Sequence, residues 1–177
     1  KATALGKVHP EDGGCYQAAL PDRGGYCQRD FVHQIDGAAL LGLHRESLAM
    51  LRRFASHQTK ARGWFTLWEI NYDGTPMACD YRDDGHFWRN TAGMFDLLHG
   101  AYRQYLWTGN PALVEDPLLR GFYARTVEDF VAANDRDGNG IVDGLAPNGW
   151  GIASTYNEMP GIVLAESADS LGTQCRA

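Results

Sequence analysis

Residues 24–43 read GGYCQRDFVHQIDGAALLGL, and this stretch decides the fold. It opens with glycines and polar residues, and apolar side chains such as Phe31 and Ile35 then recur at helical spacing, which predicts a loop that leads into an amphipathic helix. Arg29 and Asp30 stand where the loop becomes helix. One interpretation is a helix cap, because an aspartate there meets unpaired N–H groups and the positive end of the dipole. The other is an Arg–Asp pair at the mouth of a cavity that hydrogen-bonds a polyhydroxylated ligand.

The pattern of helix followed by return helix occurs twice. Gly42 and Leu43 break the first helix, and a second apolar stripe from Leu48 to Ala55 predicts its return partner. Residues 63–79 lose the helical period, so we expect an extended excursion with a short hairpin at Asp73-Gly74. Together these segments predict a helical hairpin followed by a β excursion.

A second pair is predicted from about Gly85 onward, where apolar residues up to Leu106 fall at three- and four-residue steps. Gly109-Asn110-Pro111 ends its first helix, because glycine accepts the left-handed conformation and proline cannot continue the helix. Asp116-Pro117 opens the return helix as an N-cap followed by proline at the first position. A long loop follows Asn134, and a last helix is expected near the end of the chain.

Composition limits the possible classes of function. The 177 residues fit one domain, 44% of them are hydrophobic, and the net charge is −6 without a basic cluster, so we expect no nucleic-acid partner. No apolar run approaches the roughly 20 residues of a membrane span, so we expect no membrane partner. Four scattered cysteines without a CxxC spacing argue against zinc. We favour a secreted or periplasmic location over a cytoplasmic one.

Polar and aromatic residues gather before the first helix of each pair. The three gatherings run from Tyr26 to Asp30, from Cys79 to Trp88, and from Trp150 to Glu158. Helical hairpins that bury one face against their neighbours form bundles or toroids. If the hairpins pack side by side, these gatherings converge at one end.

The motifs YCQRDF, DYRDDGHFW, TGNP and DRDGNGIVDG resemble those of the six-hairpin, (α/α)6 toroid glycosidases, the glucoamylase-like class in particular. This resemblance implies an all-α fold of helical hairpins with a short β excursion, in which residues 1–177 form a single domain. It also implies that the chain is the N-terminal portion of an incomplete toroid, since a ring has six hairpins and this chain holds two and the start of a third. The implied activity is exo-acting hydrolysis of a glucoside-like or related saccharide, or the chain is a fragment of such an enzyme.

Glycoside hydrolysis needs a carboxylic acid and a second carboxylate. By resemblance, Glu158 in STYNEMPG matches the general acid, against an exposed loop glutamate as the alternative. The second carboxylate falls in a later hairpin, so a complete catalytic pair is not evident. By the same resemblance, Arg29 and Asp30 grip the terminal sugar, and the other predicted substrate-binding residues are Asp80, Tyr81, Trp88, Trp150 and Tyr156. An indole can stack on the C–H face of a sugar, although core packing is the commoner role of tryptophan. The candidate stacking residues are Trp64, Trp68, Trp88 and Trp150, and Trp88 and Trp150 are favoured because they lie at hairpin entries.

The stretch DRDGNGIVDG begins like a calcium loop. Asp135, Asp137 and Asn139 occupy alternate positions, Gly140 permits a sharp turn, and Asp143 follows. The bidentate glutamate of an EF-hand would fall at an alanine, so a tight Asx/Gly turn is the alternative. We therefore expect no required cofactor, with Ca²⁺ as the candidate metal at these four residues.

Three functions follow from these patterns. The first is the hydrolase, with a carbohydrate as ligand. The second is a non-catalytic carbohydrate-binding or assembly module, completed by missing hairpins or by another copy of the chain. The third is a toroid lyase or epimerase, because that architecture also hosts other chemistry.

Overall fold

The computed structural model describes residues 14–16, 24–144, 151–152 and 165–177. Within these ranges the protein is mostly helical with a small amount of strand, which confirms the predicted helical class. The helices are α1 Gln28–Leu40, α2 His44–Ser56, α3 Thr91–Thr108, α4 Ala112–Glu115, α5 Pro117–Arg125, α6 Val131–Asn134 and α7 Ala168–Arg176. The strands are β1 Gly25–Cys27, β2 Glu69–Asn71, β3 Tyr81–Asp83, β4 His86–Phe87, β5 Arg89–Asn90 and β6 Gly151–Ile152.

The first hairpin, α1 and α2, forms as the apolar stripes predict. Phe31 and Ile35 on α1 and Phe54 on α2 are fully buried, and the Phe31 and Phe54 rings lie 5.8 Å apart. Gly42 lies in the connection between the two helices and has a left-handed conformation at φ 79°, which a residue with a β-carbon adopts only with strain. The predicted break between the two helices is therefore confirmed.

The excursion after α2 contains the predicted hairpin turn at Asp73-Gly74. The Asn71 N–H donates to the Thr75 carbonyl at 2.9 Å, and the Asp73 carboxylate accepts the Thr75 N–H at 2.9 Å. Strand β2 also pairs antiparallel with β1, with Gly25 opposite Asn71. Because this pairing joins segments more than 40 residues apart, a local sequence pattern does not reveal it.

Helix α3 begins at Thr91, so the predicted start near Gly85 is wrong. Residues before it form the β3–β4 hairpin, whose turn is closed by the Gly85 N–H donating to Asp83 Oδ1 at 2.9 Å. Asn90 then caps the helix, since its side chain accepts the Gly93 N–H at 3.2 Å. The apolar residue Phe87 belongs to a strand and not to the helical stripe.

The return segment of the second pair begins as predicted. Asp116 accepts the N–H groups of Leu118 and Leu119 at 2.8 and 3.3 Å, and Pro117 takes the first helical position. A π-helical turn, Thr126–Phe130, joins α5 to α6. The helical path therefore continues to Asn134, where the long loop begins.

Helices α1 and α3 run side by side in the same direction. Gln28 at the start of α1 lies beside Gly93 in the first turn of α3, and the Gln104 side chain donates to the Ile35 carbonyl at 3.1 Å further along. A β-carbon at Gly100 would lie 3.4 Å from the nearest Val32 methyl group. Glycines at two positions one heptad apart on α3 thus let the helices approach closely and bring their first turns together.

The last helix, α7, packs against α3. The guanidinium of Arg176 donates to Asp96 at 2.8 Å, and the Asp96 carboxylate is almost fully buried. The predicted helix near the end of the chain is therefore confirmed. None of the helices within the described ranges has the length and apolar character that crossing a membrane requires.

Candidate functional site

The first two predicted gatherings of polar and aromatic residues are in contact. Strand β1 leads directly into α1, and the Gln28 N–H donates to the Trp68 carbonyl at 2.8 Å. Cys27 and Trp68 are buried together, and Trp88 packs against the same cluster. The start of α1, the excursion and the segment before α3 therefore share one surface, which we call the helix-start surface: residues 27–30, Trp68, Glu69, Asp80 and Trp88.

Arg29 and Asp30 occupy the first turn of α1 and are both partly exposed. The N-cap position belongs to Cys27, whose side chain makes no capping hydrogen bond. The interpretation of Asp30 as the cap is therefore wrong, because the helix begins two residues earlier. The Arg29 guanidinium carbon lies 5.2 Å from the centroid of a Trp68 ring, a cation–π contact that orients the arginine beside an indole.

Trp68 is one of the four candidate stacking tryptophans, and the sequence favours it less than Trp88 because it does not lie at a hairpin entry. It stands beside Arg29 only because β2 pairs with β1, which places residue 68 against the start of α1. Trp88, a predicted site residue, is partly buried, and its backbone N–H donates to the Asp80 carbonyl at 2.7 Å. The structure thus brings Arg29, Trp68 and Trp88 together around the cluster of Cys27 and Trp68.

Carboxylates also gather at this surface. Glu69 is 2% exposed, and the Cys79 thiol lies 3.9 Å from Glu69 Oε2 and 3.4 Å from Asp80 Oδ2. One ligand atom from each of these three residues lies within 4.8 Å of the others. Sequence reasoning missed Glu69, because an acidic residue inside an apolar WEIN segment gives no signal of its own. The Cys79 thiol, a weak donor, thus lies between the two carboxylates.

Tyr81 points to a different part of the molecule than Trp88. Its hydroxyl donates to Asp84 Oδ1 at 3.0 Å, and its ring packs against the main core with the Arg62 guanidinium 5.9 Å from its centroid. Burial raises the pKa of Tyr81, and the hydrogen bond to Asp84 raises it further. The phenol is therefore neutral and held by Asp84, an arrangement that positions the β3–β4 hairpin.

The Cys27 thiol is chemically inert in this setting. Burial raises its pKa to about 12, and the neighbouring Asp30 carboxylate opposes ionisation as well. A thiol rather than a thiolate is present at neutral pH, so Cys27 supplies apolar packing beneath the two indoles and not a nucleophile.

The third gathering begins beside the second. Strand β6 pairs in parallel with β5, with Gly151 opposite Arg89. A β-carbon at Gly151 would collide with the backbone of Arg89, and φ there is 130°, so glycine is the residue that fits. The predicted residues Trp150, Tyr156 and Glu158 lie outside the described residues.

The candidate calcium loop folds as a set of turns closed by its own carboxylates. Asp135 Oδ1 accepts the Gly138 N–H at 2.8 Å and Asp135 Oδ2 accepts the Gly140 N–H at 2.8 Å. These hydrogen bonds, the one from Gly140 foremost, lower the pKa of Asp135. Ligand atoms of Asp135, Asp137 and Asp143 lie within 4.8 Å of one another.

Two further contacts modify this loop. The Asn139 side chain donates to Glu166 Oε1 at 2.7 Å, which brings in a carboxylate from 27 residues downstream. The Arg136 side chain lies 3.4 Å from Asp143 Oδ2, and its backbone N–H donates to the same oxygen at 2.5 Å. The residues can hold a divalent cation in an oxygen cage, with Arg136 competing for Asp143.

Comparison of the chain with protein-family models, with curated proteins and with solved structures found no match.

Proposed function

We propose that the chain forms part of a six-hairpin toroid and acts as a glycoside hydrolase, or part of one, on a glucoside-like or related saccharide. The observation that carries this proposal is the contact of the α1 start with the excursion and with the segment before α3. Arg29 lies over Trp68, and Trp88 packs on the cluster of Cys27 and Trp68. In the proposed toroid, the helix-start surface lines the end of the ring where the sugar binds.

The residues of the helix-start surface suit a sugar. A carboxylate such as Asp30 accepts hydrogen bonds from vicinal hydroxyl groups, and an arginine such as Arg29 donates them. An indole beside them offers an apolar face for the C–H groups of the ring. Asp30 is partly exposed in the first turn of α1.

Glu158 is the proposed general acid, and Trp150 and Tyr156 are proposed to contact the sugar. Support comes from the parallel pairing of β6 with β5, which starts the third gathering next to the α3 helix start. Glu158 follows Ile152 by six residues, a length of chain that spans at most about 20 Å. We propose that this length of chain lets Glu158 reach the helix-start surface. The second carboxylate and the remaining hairpins are proposed to come from further sequence or from another copy of the chain.

Aryl glycosides test the hydrolase proposal. We expect wild-type protein to release the aryl group from one or more α- or β-glucosides, Glu158→Gln to lose at least about 100-fold in kcat with KM retained, and Asp30→Asn to lose affinity. Glu128→Gln, an exposed carboxylate on the π turn, is the matched control and should keep full activity. Hydrolysis that is unchanged in Glu158→Gln would remove that residue from the mechanism.

A non-catalytic carbohydrate-binding module is the second candidate. The described part of the helix-start surface supports it, because Arg29 and the two indoles are groups that hold a sugar without cleaving it. Saccharide binding that Asp30→Asn weakens, without release of the aryl group from any glycoside, would favour this module. Bond cleavage that leaves an unsaturated product would instead favour a toroid lyase.

We further propose Ca²⁺ as the ligand of the loop that contains Asp135, Asp137, Asn139 and Asp143. The support is the alternating donor set and the approach of Glu166 through Asn139. A titration of chelator-treated protein with Ca²⁺ should give a saturable rise in melting temperature with a Kd on the order of 10⁻⁴–10⁻³ M. Asp137→Asn should weaken it at least tenfold, whereas a flat titration would establish the loop as an Asx/Gly turn only.

A further inference from the structure

A cavity of about 230 Å³ lies beside the start of α3. The residues that matter for its chemistry are His86 and Arg89 from the β4–β5 segment, Thr91 at the start of α3, and Arg136 and Asp143 from the loop after α6. Among the described residues, the cavity is therefore lined by two arginines and one carboxylate. Neither Arg29 nor Asp30 belongs to its lining, so it is distinct from the proposed sugar site.

Arg89 has no counter-ion in the described part of the chain. Its side chain is half-buried, its guanidinium carbon lies 4.5 Å from the centroid of the Phe87 ring, and no carboxylate of residues 24–144 or 165–177 lies within ion-pair distance of it. The buried arginine Arg62, by contrast, is paired with Asp84 at 2.5 Å. Burial without a partner also lowers the pKa of Arg89. A partly desolvated cation costs folding free energy that an anionic ligand would offset.

The carboxylate that lines the cavity cannot serve as that counter-ion. Asp143 Oδ2 accepts the Arg136 backbone N–H at 2.5 Å and lies 3.4 Å from the Arg136 side chain, which also donates to the Gly144 carbonyl at 2.9 Å. Without a cation in the loop, Arg136 and Asp143 thus neutralise each other. The charge that remains in the cavity is that of Arg89, beside the His86 ring and the Thr91 side chain.

We propose that this cavity binds a small oxyanion through Arg89. The planar guanidinium presents paired N–H donors whose spacing matches phosphate, sulfate or carboxylate oxygens. Its cation–π contact with the Phe87 ring fixes the direction of these donors. The positive end of the α3 dipole at Thr91 adds to the attraction. The oxyanion is either a free inorganic ion or the acidic substituent of a saccharide. The assignment of an oxyanion does not rest on the proposed glycosidase activity.

Calorimetric titration with inorganic phosphate tests the proposal. Wild-type protein should show saturable binding, and Arg89→Gln should weaken it at least tenfold, because a single charge-assisted pair is removed. Arg120→Gln, an exposed arginine outside the cavity, is the matched control and should bind phosphate like the wild type. An absence of saturable binding to wild type, or equal binding by Arg89→Gln, would overturn the proposal.

A second variant keeps the test valid if Arg89→Gln does not fold. Ala133 is exposed and lines the same cavity, so Ala133→Glu adds a carboxylate to the lining that contains Arg89. We expect this variant to keep its circular dichroism spectrum and to lose phosphate binding. A folded Ala133→Glu that still binds phosphate with wild-type affinity would contradict the proposal.

Glucuronate and glucose distinguish the two sources of the oxyanion. Arg89-dependent binding of glucuronate that is tighter than that of phosphate would assign an acidic saccharide, and the reverse order would assign the free ion. Neutral glucose should show no Arg89-dependent binding. If glucose binding depends on Arg89 as strongly as glucuronate binding does, the cavity does not select an oxyanion and the proposal fails. Aryl-glycoside hydrolysis is a separate readout, so failure of one proposal leaves the other intact.

Discussion

Replacing Gly93 with alanine tests the close approach of α1 and α3, on which the helix-start surface depends. A β-carbon at Gly93 would lie 2.5 Å from the Asn90 amide nitrogen and 2.6 Å from Gln28 Oε1. Asn90 and Gln28 are each 2% exposed, so neither side chain can swing into solvent to make room. The added methyl group must displace the Asn90 cap or push the first turns of the two helices apart.

The magnitude of the effect follows from these contacts. Overpacking a filled site costs about 1–3 kcal/mol, and loss of the Asn90 cap costs about 1 kcal/mol more. The higher helix propensity of alanine stabilises the folded protein by about 1 kcal/mol and offsets part of this cost. We therefore expect Gly93→Ala to lower the free energy of unfolding by about 1–3 kcal/mol, which corresponds to a fall of several degrees in the melting temperature.

Gly37→Ala is the matched control, since Gly37 lies in the interior of α1 and a β-carbon there would meet no atom within 4 Å. Helix propensity alone should stabilise this variant by about 0.5–1 kcal/mol. Urea unfolding monitored by circular dichroism measures both changes. Opposite signs for the two glycine variants support the packing that we describe. A stabilisation by Gly93→Ala equal to that by Gly37→Ala would refute it.

Two further predictions concern charge and thiol chemistry. Burial raises the pKa of Asp116, but the hydrogen bonds from Arg52 and from two helix N–H groups outweigh burial and lower the pKa. Asp116→Asn keeps a capping side chain and should lower the free energy of unfolding by about 0.5–1 kcal/mol at pH 7. Denaturation at several pH values should show this difference disappear as the pH falls through the lowered pKa of Asp116. Asp116→Ala should cost about 1.5–3 kcal/mol because the cap is lost as well, and equal effects of the two variants would contradict the double role. At pH 8, iodoacetamide should modify the exposed Cys79 in folded protein and leave Cys27 unmodified by mass spectrometry; equal modification of both would contradict the buried, protonated state of Cys27.

The local signals in the sequence predicted the helical framework well. The apolar stripe through Phe31 and Ile35 and the Asp116-Pro117 start are confirmed because each depends on residues within one or two turns. The left-handed Gly109 at the end of α3 has φ 60°, the conformation that the glycine-proline punctuation predicted. These features require no knowledge of how distant segments pack.

The features that the sequence did not reveal are non-local. The start of α3 was placed too early because Phe87 fits a helical period, yet the Asp83 turn and the Asn90 cap hold residues 81–90 as strands. Glu69 and Trp68 join the candidate site only through the pairing of β2 with β1. The proposed oxyanion site at Arg89 likewise depends on a cavity formed with distant segments, so the residues next to Arg89 in the chain do not reveal it.

The indole resonances of the tryptophans test the central claim most directly, the claim that the clustered helix starts bind a saccharide. In a ¹⁵N-labelled sample titrated with glucose and maltose, we predict saturable shifts of the Trp68 and Trp88 Nε1–H signals and loss of those shifts in Asp30→Ala. Trp107 is 55% exposed near the far end of α3, about 25 Å along the helix from its first turn, and its signal should not move. Unchanged Trp68 and Trp88 signals at saturating saccharide, or a shift of Trp107 as large as theirs, would contradict the account.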